Sequence, residues 1–346
     1  MNQFSRDNHY IPQFYLKQWS TDNSPKVWEY RLLVSHEKVP EWQQVSIKDS
    51  TGWHRDLYTG IIEDVETDEI ENWYESDIER PVQPVIQKVN NREKLKRNEI
   101  KTLVRFAAAQ HLRTPAAYIR GKRIFESANS RGEIKDNSEL TKGASSYLLD
   151  KSSMNKYAEF QKWLPLKIET GSLNETKNKV EIKITTGFTR NTWNFQNLTL
   201  LNLTHNCLYD HDWKVLEAAL GVNLYTSDDP AIFLNYNSFD NYDFFGGWAR
   251  KGCNILFPIS PRFFLFTEIG ADLSKDKLDK DPLLTYMMQR FTIENAFNRI
   301  YSLSKVDNIS ECRKREVNTE KFFEDEEAWK QWNKTQLSME REFKEI

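Results

Sequence analysis

Apolar residues along the chain repeat at two spacings, and the spacing changes with position. Between residues 97 and 112, Ile100, Leu103, Val104, Ala107, Ala108 and His111 fall along one broad helical face. This is the clearest helix, and Pro115 ends it by pushing Thr114 out of helical geometry. Upstream, Asp68 is placed to cap a helix, with Glu71 three residues on. Ile70, Trp73, Tyr74 and Ile78 follow at helical spacing. Pro81 and Pro84 bend or restart this helix, and Val82, Val85, Ile86 and Val89 continue its apolar face. Residues 157–164 read as a further helix, and 283–303 as a long amphipathic one. Period-two alternation predicts strands at 26–31 and 180–186, with weaker ones at 45–47 and 198–203. Stretches 213–220, 224–233, 255–258 and 263–267 make the second half strand-rich.

These elements predict an α+β fold, a helical layer packed on a mixed or antiparallel sheet drawn from the second half. Residues 1–305 read as one domain with a polar insertion at about 126–155. Residues 306–346 read as a charged helical extension. In it Phe322, Phe323, Trp329 and Trp332 lie at near-helical spacing, suited to docking on the body or on a protein partner. The N-terminal stretch His9-Tyr10-Ile11-Pro12-Gln13-Phe14-Tyr15-Leu16-Lys17-Gln18-Trp19 is too aromatic to fray as chain ends commonly do. It reads as a strand or turn entering a short helix, with His9 at its start. Stretch 239–248 reads as a lid or a long hairpin tip.

Composition narrows the class. At 346 residues, 13% aromatic and 29% charged, the chain is long and apolar enough to bury a core. Its three cysteines form no CxxC pair, which opposes a disulfide framework or a cysteine zinc site. No signal-like or membrane-spanning stretch is evident, so a cytoplasmic location is expected. The net charge of −3 hides segregation: residues 56–79 hold ten acidic residues and no basic one. Residues 88–123 hold eleven basic residues against Glu93 and Glu99. Two readings remain open, a pair of helices that neutralise each other and a basic surface that faces phosphate.

Candidate chemistry gathers at three places. His9 titrates near neutral pH and suits general acid–base work. Gln110 and Arg113 close the clearest helix, where a guanidinium can complement the helix dipole or grip a phosphate or carboxylate. Ser227 and Asp228 sit where a strand enters a proline turn, read either as an Asx-turn between hairpin strands or as a catalytic edge. Glu71 and Glu79, about 80° apart on an ideal helix, join Asp228 as a weak oxygen-ligand set for Mg2+. Tyr15, Lys94, Lys96, Lys101 and Arg105 are the candidate substrate contacts, aromatics for bases and cations for phosphates. No Walker A loop or GxGxxG is present, and Ser227 lacks the glycine-flanked elbow of a hydrolase nucleophile.

The segments His9-x-x-Pro12-x-x-Tyr15-Leu16, Gln110-x-x-Arg113-Thr114-Pro115 and Thr226-Ser227-Asp228-x-Pro230 resemble, in this order, an uncharacterised bacterial family, domain-of-unknown-function family 4238. Pro258-Ile259-Ser260-Pro261 and Asn298 resemble its later pattern. The resemblance covers roughly residues 5–305. Asp229 departs from the Asn that the family more often carries. The resemblance implies a bacterial mobile-element or phage-defence setting and no settled activity. With the motif chemistry it leads to the expectation of a phosphodiester-cleaving nuclease using His9, Arg113 and Asp228. Two alternatives stand beside it: a non-catalytic sensing or interaction module held by a structural polar network, and a toxin acting on the translation machinery.

Overall fold

The structure, a computed structural model, describes residues 6–21, 24–62, 65–130, 166–170, 182–204 and 206–342. Most of the expected insertion, and the helix expected at 157–164, lie outside these residues. The fold is α+β.

The N-terminal stretch forms β1 (Asp7–His9) and then α1 (Gln13–Leu16), which a 3-10 turn prolongs to Trp19. Tyr15, Leu16 and Trp19 are fully buried. The Tyr15 ring stacks on Phe257 at 5.4 Å and meets Phe106 edge-on at 5.7 Å. Its hydroxyl donates to the Pro258 carbonyl at 2.6 Å and lies 2.8 Å from the Thr226 hydroxyl. The Trp19 indole donates to the Leu224 carbonyl at 2.9 Å. The chain start is therefore held by strands more than two hundred residues away. Gly52, at φ +73°, lets the next connection pass under this stretch, because a Cβ there would crowd Ile11 and Leu16.

α2 (Glu69–Trp73) runs through a π-helical turn (Tyr74–Glu79) into α3 (Arg80–Asn90). The bend expected at Pro81 takes this form for a steric reason. Pro81 has no N–H, and its ring presses on the carbonyl four residues back, that of Asp77. A wider turn moves that carbonyl aside, and the Arg105 guanidinium donates to it at 3.4 Å. α4 (Arg97–Leu112) returns antiparallel, joined to α3 near the connection by a Lys88–Glu99 pair at 2.5 Å. Both partners lie in the basic segment; Glu79 of the acidic segment pairs with Arg113 of the basic one, as the neutralising reading expects. α5 (Pro115–Ser130) begins at Pro115 itself.

Two antiparallel sheets carry the rest. The larger contains β10 (Lys214–Glu217), β12 (Ile232–Ser238), β13 (Asn241–Asp243), β14 (Cys253–Pro258) and β15 (Phe263–Glu268), in the order β10-β15-β14-β12-β13. The other contains β2 (Lys26–Arg31), β4 (Trp42–Ser46), β11 (Thr226–Ser227) and β16 (Arg299–Ser302), in the order β11-β16-β2-β4. It joins both halves of the chain, where the sequence pointed to the second half alone. β5 (Trp53–Arg55) pairs with β1. β6 (Gly60–Ile62) with β7 (Val65–Thr67), and β8 (Leu166–Thr170) with β9 (Ile182–Thr186), are small hairpins. Stretch 239–248 contains the β12–β13 hairpin tip.

Three expectations are corrected. Residues 224–233 are not a hairpin, because β11 and β12 belong to different sheets and the Ser-Asp-Asp-Pro turn passes between them. Residues 198–203 are helical: α6 (Arg190–Thr199) is capped by the Thr189 hydroxyl and continues as a π turn. Its Trp193, Leu198 and Leu201 are buried at helical spacing. The long helix ends early. α7 (Pro282–Asn295) stops at Asn295, and the chain extends into β16 because the Asp228 carboxylate accepts the N–H groups of Phe297 and Asn298.

The C-terminal extension packs on the body. β17 (Glu316–Val317) pairs in parallel with β3 (Leu33–Val34), and α8 (Thr319–Lys330) and α9 (Trp332–Glu342) follow. In α9, Glu340 bridges Arg190 at 3.0 Å, and Gln336 accepts the Arg190 N–H and donates to the Tyr118 hydroxyl. α8 buries no residue fully. Among the described residues, no helix is long and apolar enough to cross a membrane.

Candidate functional site

Arg113 follows the last residue of α4, where the chain must turn before Pro115, and its side chain is fully buried. It points back beneath the N-terminal stretch. Nη2 pairs with Glu79 at 2.8 Å and donates to the His9 carbonyl at 2.5 Å, and Nε donates to the Tyr10 carbonyl at 2.9 Å. The guanidinium lies 4.7 Å from the centre of the Tyr74 ring. Burial opposes its charge, but Glu79, Tyr58 and Glu71 outweigh this and raise its pKa. Among the described residues Nη1 has no hydrogen-bond partner, nor has either amide atom of Gln110 one turn earlier on α4.

The π turn ends at Glu79, which pairs with the guanidinium, and Glu71 one helix earlier feels its charge. Glu71 accepts the backbone N–H of His9, while its Oε2 is sealed without a partner among the described residues. Burial pushes its carboxyl up to about 8, with Glu79 adding to the rise and Arg113 opposing it. It is therefore protonated at neutral pH. His9 is half-buried, and Nε2 lies 3.3 Å from the Gln13 amide nitrogen. Burial lowers the imidazole pKa, and the Arg113 charge lowers it further. His9 is therefore a neutral base at pH 7. Two groups uncharged at pH 7, His9 and Glu71, thus lie within the field of one buried cation.

Asp228 does not join this centre. Its side chain is buried, and its two oxygens accept the N–H groups of Phe297 and Asn298 at 2.8 Å each. Burial raises its pKa to about 7. Ser227 is fully buried, and its hydroxyl accepts the Asp229 N–H. A sealed hydroxyl cannot reach a substrate, so the catalytic role expected of Ser227 is corrected to a turn-closing one. The hydrogen bonds of Asp228 hold the start of β16 in place. Tyr15 likewise belongs to the core and contacts no solvent-reachable groove.

The expected Mg2+ set does not fit the ion. Mg2+ needs ionised oxygens in near-octahedral array. Asp228 is occupied by backbone donors, Glu79 by Arg113, and Glu71 is protonated at neutral pH. Among the described residues, no group of three or more His, Cys, Asp or Glu side chains could hold a metal ion.

Of the basic candidates, Arg105 is engaged with Asn202 and the Asp77 carbonyl, and Lys101 lies over the Tyr209 ring at 4.8 Å. Lys94, Lys96 and Arg97 are exposed at the α3–α4 connection.

Sequence reasoning passed over Asp229, where two of the motifs meet. Asp229 pairs with Arg120, and the Thr114 hydroxyl donates to Asp229 at 3.1 Å. Arg120 lies on the second turn of α5, beyond the break at Pro115, and no local signal in the sequence linked it to Asp229. A second missed network joins Glu29, Arg299, Thr51 and Tyr301. Asp229 lines a cavity of about 650 Å³ between α5, the start of β16 and the C-terminal extension.

The family model described as "Protein of unknown function (DUF4238)" matches residues 7–306. No curated protein and no solved structure matches the chain.

Proposed function

This chain belongs to the DUF4238 family, and we propose that it is a hydrolytic enzyme that cleaves phosphodiester bonds of nucleic acid in a bacterial defence setting. One observation carries the reading: Arg113 binds the His9 carbonyl and the carboxylate of Glu79, while Glu71 accepts the His9 N–H. His9, neutral at pH 7, takes a proton from the attacking water. Glu71 accepts the His9 backbone N–H, so it positions the imidazole and solvent water supplies the proton to the leaving oxygen. Arg113 is the second positioning residue for His9, and Glu79 holds Arg113.

The exposed Lys94, Lys96 and Arg97 supply sequence-independent phosphate contacts. They lie at the opposite end of α4 from Arg113, roughly 24 Å away at 1.5 Å per residue. At about 3.4 Å per nucleotide along a strand, a substrate touching both ends needs about seven nucleotides.

The test incubates purified protein with labelled RNA, DNA and mononucleotides. His9→Ala should slow cleavage by about 10²–10⁴-fold while the Tm stays close to that of the parent. Oligonucleotides shorter than about seven residues should be poor substrates. Absence of cleavage of any polymer by the parent protein sinks the reading. Loss of folding in step with loss of activity favours a second reading, a non-catalytic module whose motif residues are structural. That second reading is favoured by the complete burial of Arg113 and the sealing of Asp228.

A further inference from the structure

The cavity beside Asp229 is shared by the family body and the extension that follows it. Its wall is completed by residues after 306, the last position the family model matches. At about 650 Å³ it falls within the usual range for small-molecule sites, about 300–1,000 Å³.

Ionic groups of both signs line it, and most are already engaged. Arg120 holds Asp229, Arg290 holds Glu294, and Lys321 holds Glu316. Arg313 donates to the carbonyls of Glu294, Ala296 and Phe297. Arg123 and Lys314 are left, and among the described residues neither has an ion-pair partner. Two carboxyl groups face them from α8. Glu324 is unpaired among the described residues, and Asp325 accepts a hydrogen bond from the Trp329 side chain. The side-chain amide of Asn298 also has no hydrogen-bond partner among the described residues. Free cations suit a phosphate. A carboxylate suits a sugar hydroxyl, and an amide suits the donor–acceptor edge of a base.

We infer that this cavity binds a nucleoside monophosphate or a phosphate ester of that size. Arg123 and Lys314 take the phosphate, Glu324 and Asp325 the hydroxyls, and Asn298 the base edge. The inference is independent of the hydrolase reading, because it uses neither His9 nor Arg113 and needs no turnover.

Isothermal titration and thermal-shift measurements on the full chain, with adenosine monophosphate, adenosine and inorganic phosphate as separate probes, test it. Adenosine monophosphate should bind and raise the Tm. The double variant Arg123→Glu/Lys314→Glu should weaken its Kd at least tenfold, while Lys277→Glu, on an exposed residue outside the cavity lining, leaves it unchanged. The ligand-free Tm of the double variant should match the parent, since Lys314 and Arg123 are exposed. Inorganic phosphate and adenosine alone should each bind more weakly. No binding of adenosine monophosphate at millimolar concentration overturns the inference, as does an unchanged Kd in the double variant. Phosphate binding as tightly as the nucleotide reduces the site to an anion hole and overturns the nucleoside assignment.

Discussion

Arg113 and Arg190 are both fully buried guanidinium groups, yet they sit in different company. Arg190 is paired with Glu340, itself 2% exposed, and is further held by the Asn333 side chain and the Asp56 carbonyl. Glu340 and Asp56 beside it are buried, and it fastens α9 to α6. Arg113 is paired with Glu79, whose side chain is 18% exposed, and supports a half-buried imidazole. Burial of a charge says little by itself. What stands at the open edge of the cluster separates a fastening from a centre able to do chemistry.

The largest expected effect separates the two. Glu340→Ala leaves Arg190 charged, sealed and unpaired, and should cost about 3–5 kcal/mol of stability by urea denaturation. Glu79→Ala leaves Arg113 with its two carbonyls and a partly solvated flank, and should cost about 1–3 kcal/mol. Equal losses would erase the distinction between the two arginines.

The next effect is a pH dependence. The folded-state pKa of Glu71, about 8, lies above its ordinary 4.5, so the folded state holds a proton that the unfolded state has lost. Stability from this group is complete below pH 4.5 and falls as pH rises toward 8. His9 has the opposite sign. Its lowered folded pKa gives stability that is present above 6.5 and lost as pH falls through the folded value. Between pH 6.5 and 8, Glu71 and the upper end of the Asp228 titration, near 7, therefore act without opposition from His9. Glu71 alone should remove about 2 kcal/mol across that window, at about 1.36 kcal/mol per unit. Glu71→Gln should flatten a plot of Tm against pH there, whereas Glu340→Gln should shift the plot downward and keep its slope. An unflattened curve in Glu71→Gln would mean that Glu71 does not hold its proton.

The smallest effect lies at the far end of α4. Reversing charge at Lys94, Lys96 and Lys101 should weaken binding to a polyanion. The slope of log K against log salt should become shallower by about 0.9 for each phosphate no longer neutralised. Lys101 should contribute least, since it already rests on Tyr209. Binding that ignores salt would exclude phosphate contacts there.

The two adjacent aspartates differ in the same way. Asp228 and Asp229 follow one another in one turn, and the first drew attention as the motif residue. Asp228 spends both oxygens on backbone N–H groups that begin β16, while Asp229 takes the side chains of Thr114 and Arg120 and faces the cavity. Their spacing along the chain is the same as for any neighbours. Their surroundings come from segments seventy residues ahead and more than one hundred behind.

The sequence alone determined the elements whose signals are local. The helix at 97–112, its end at Pro115, the strands on either side of Ser260-Pro261 and the family resemblance were all legible, because hydrophobic period and proline sterics act over a few residues. Tertiary structure decided which polar side chains meet. The π turn ends at Glu79 on the Arg113 guanidinium, Asp228 holds the chain that follows a helix that periodicity alone would continue, and α9 pairs with Arg190. A buried polar group must find its partner wherever the fold brings one, and that partner can lie at any distance along the chain.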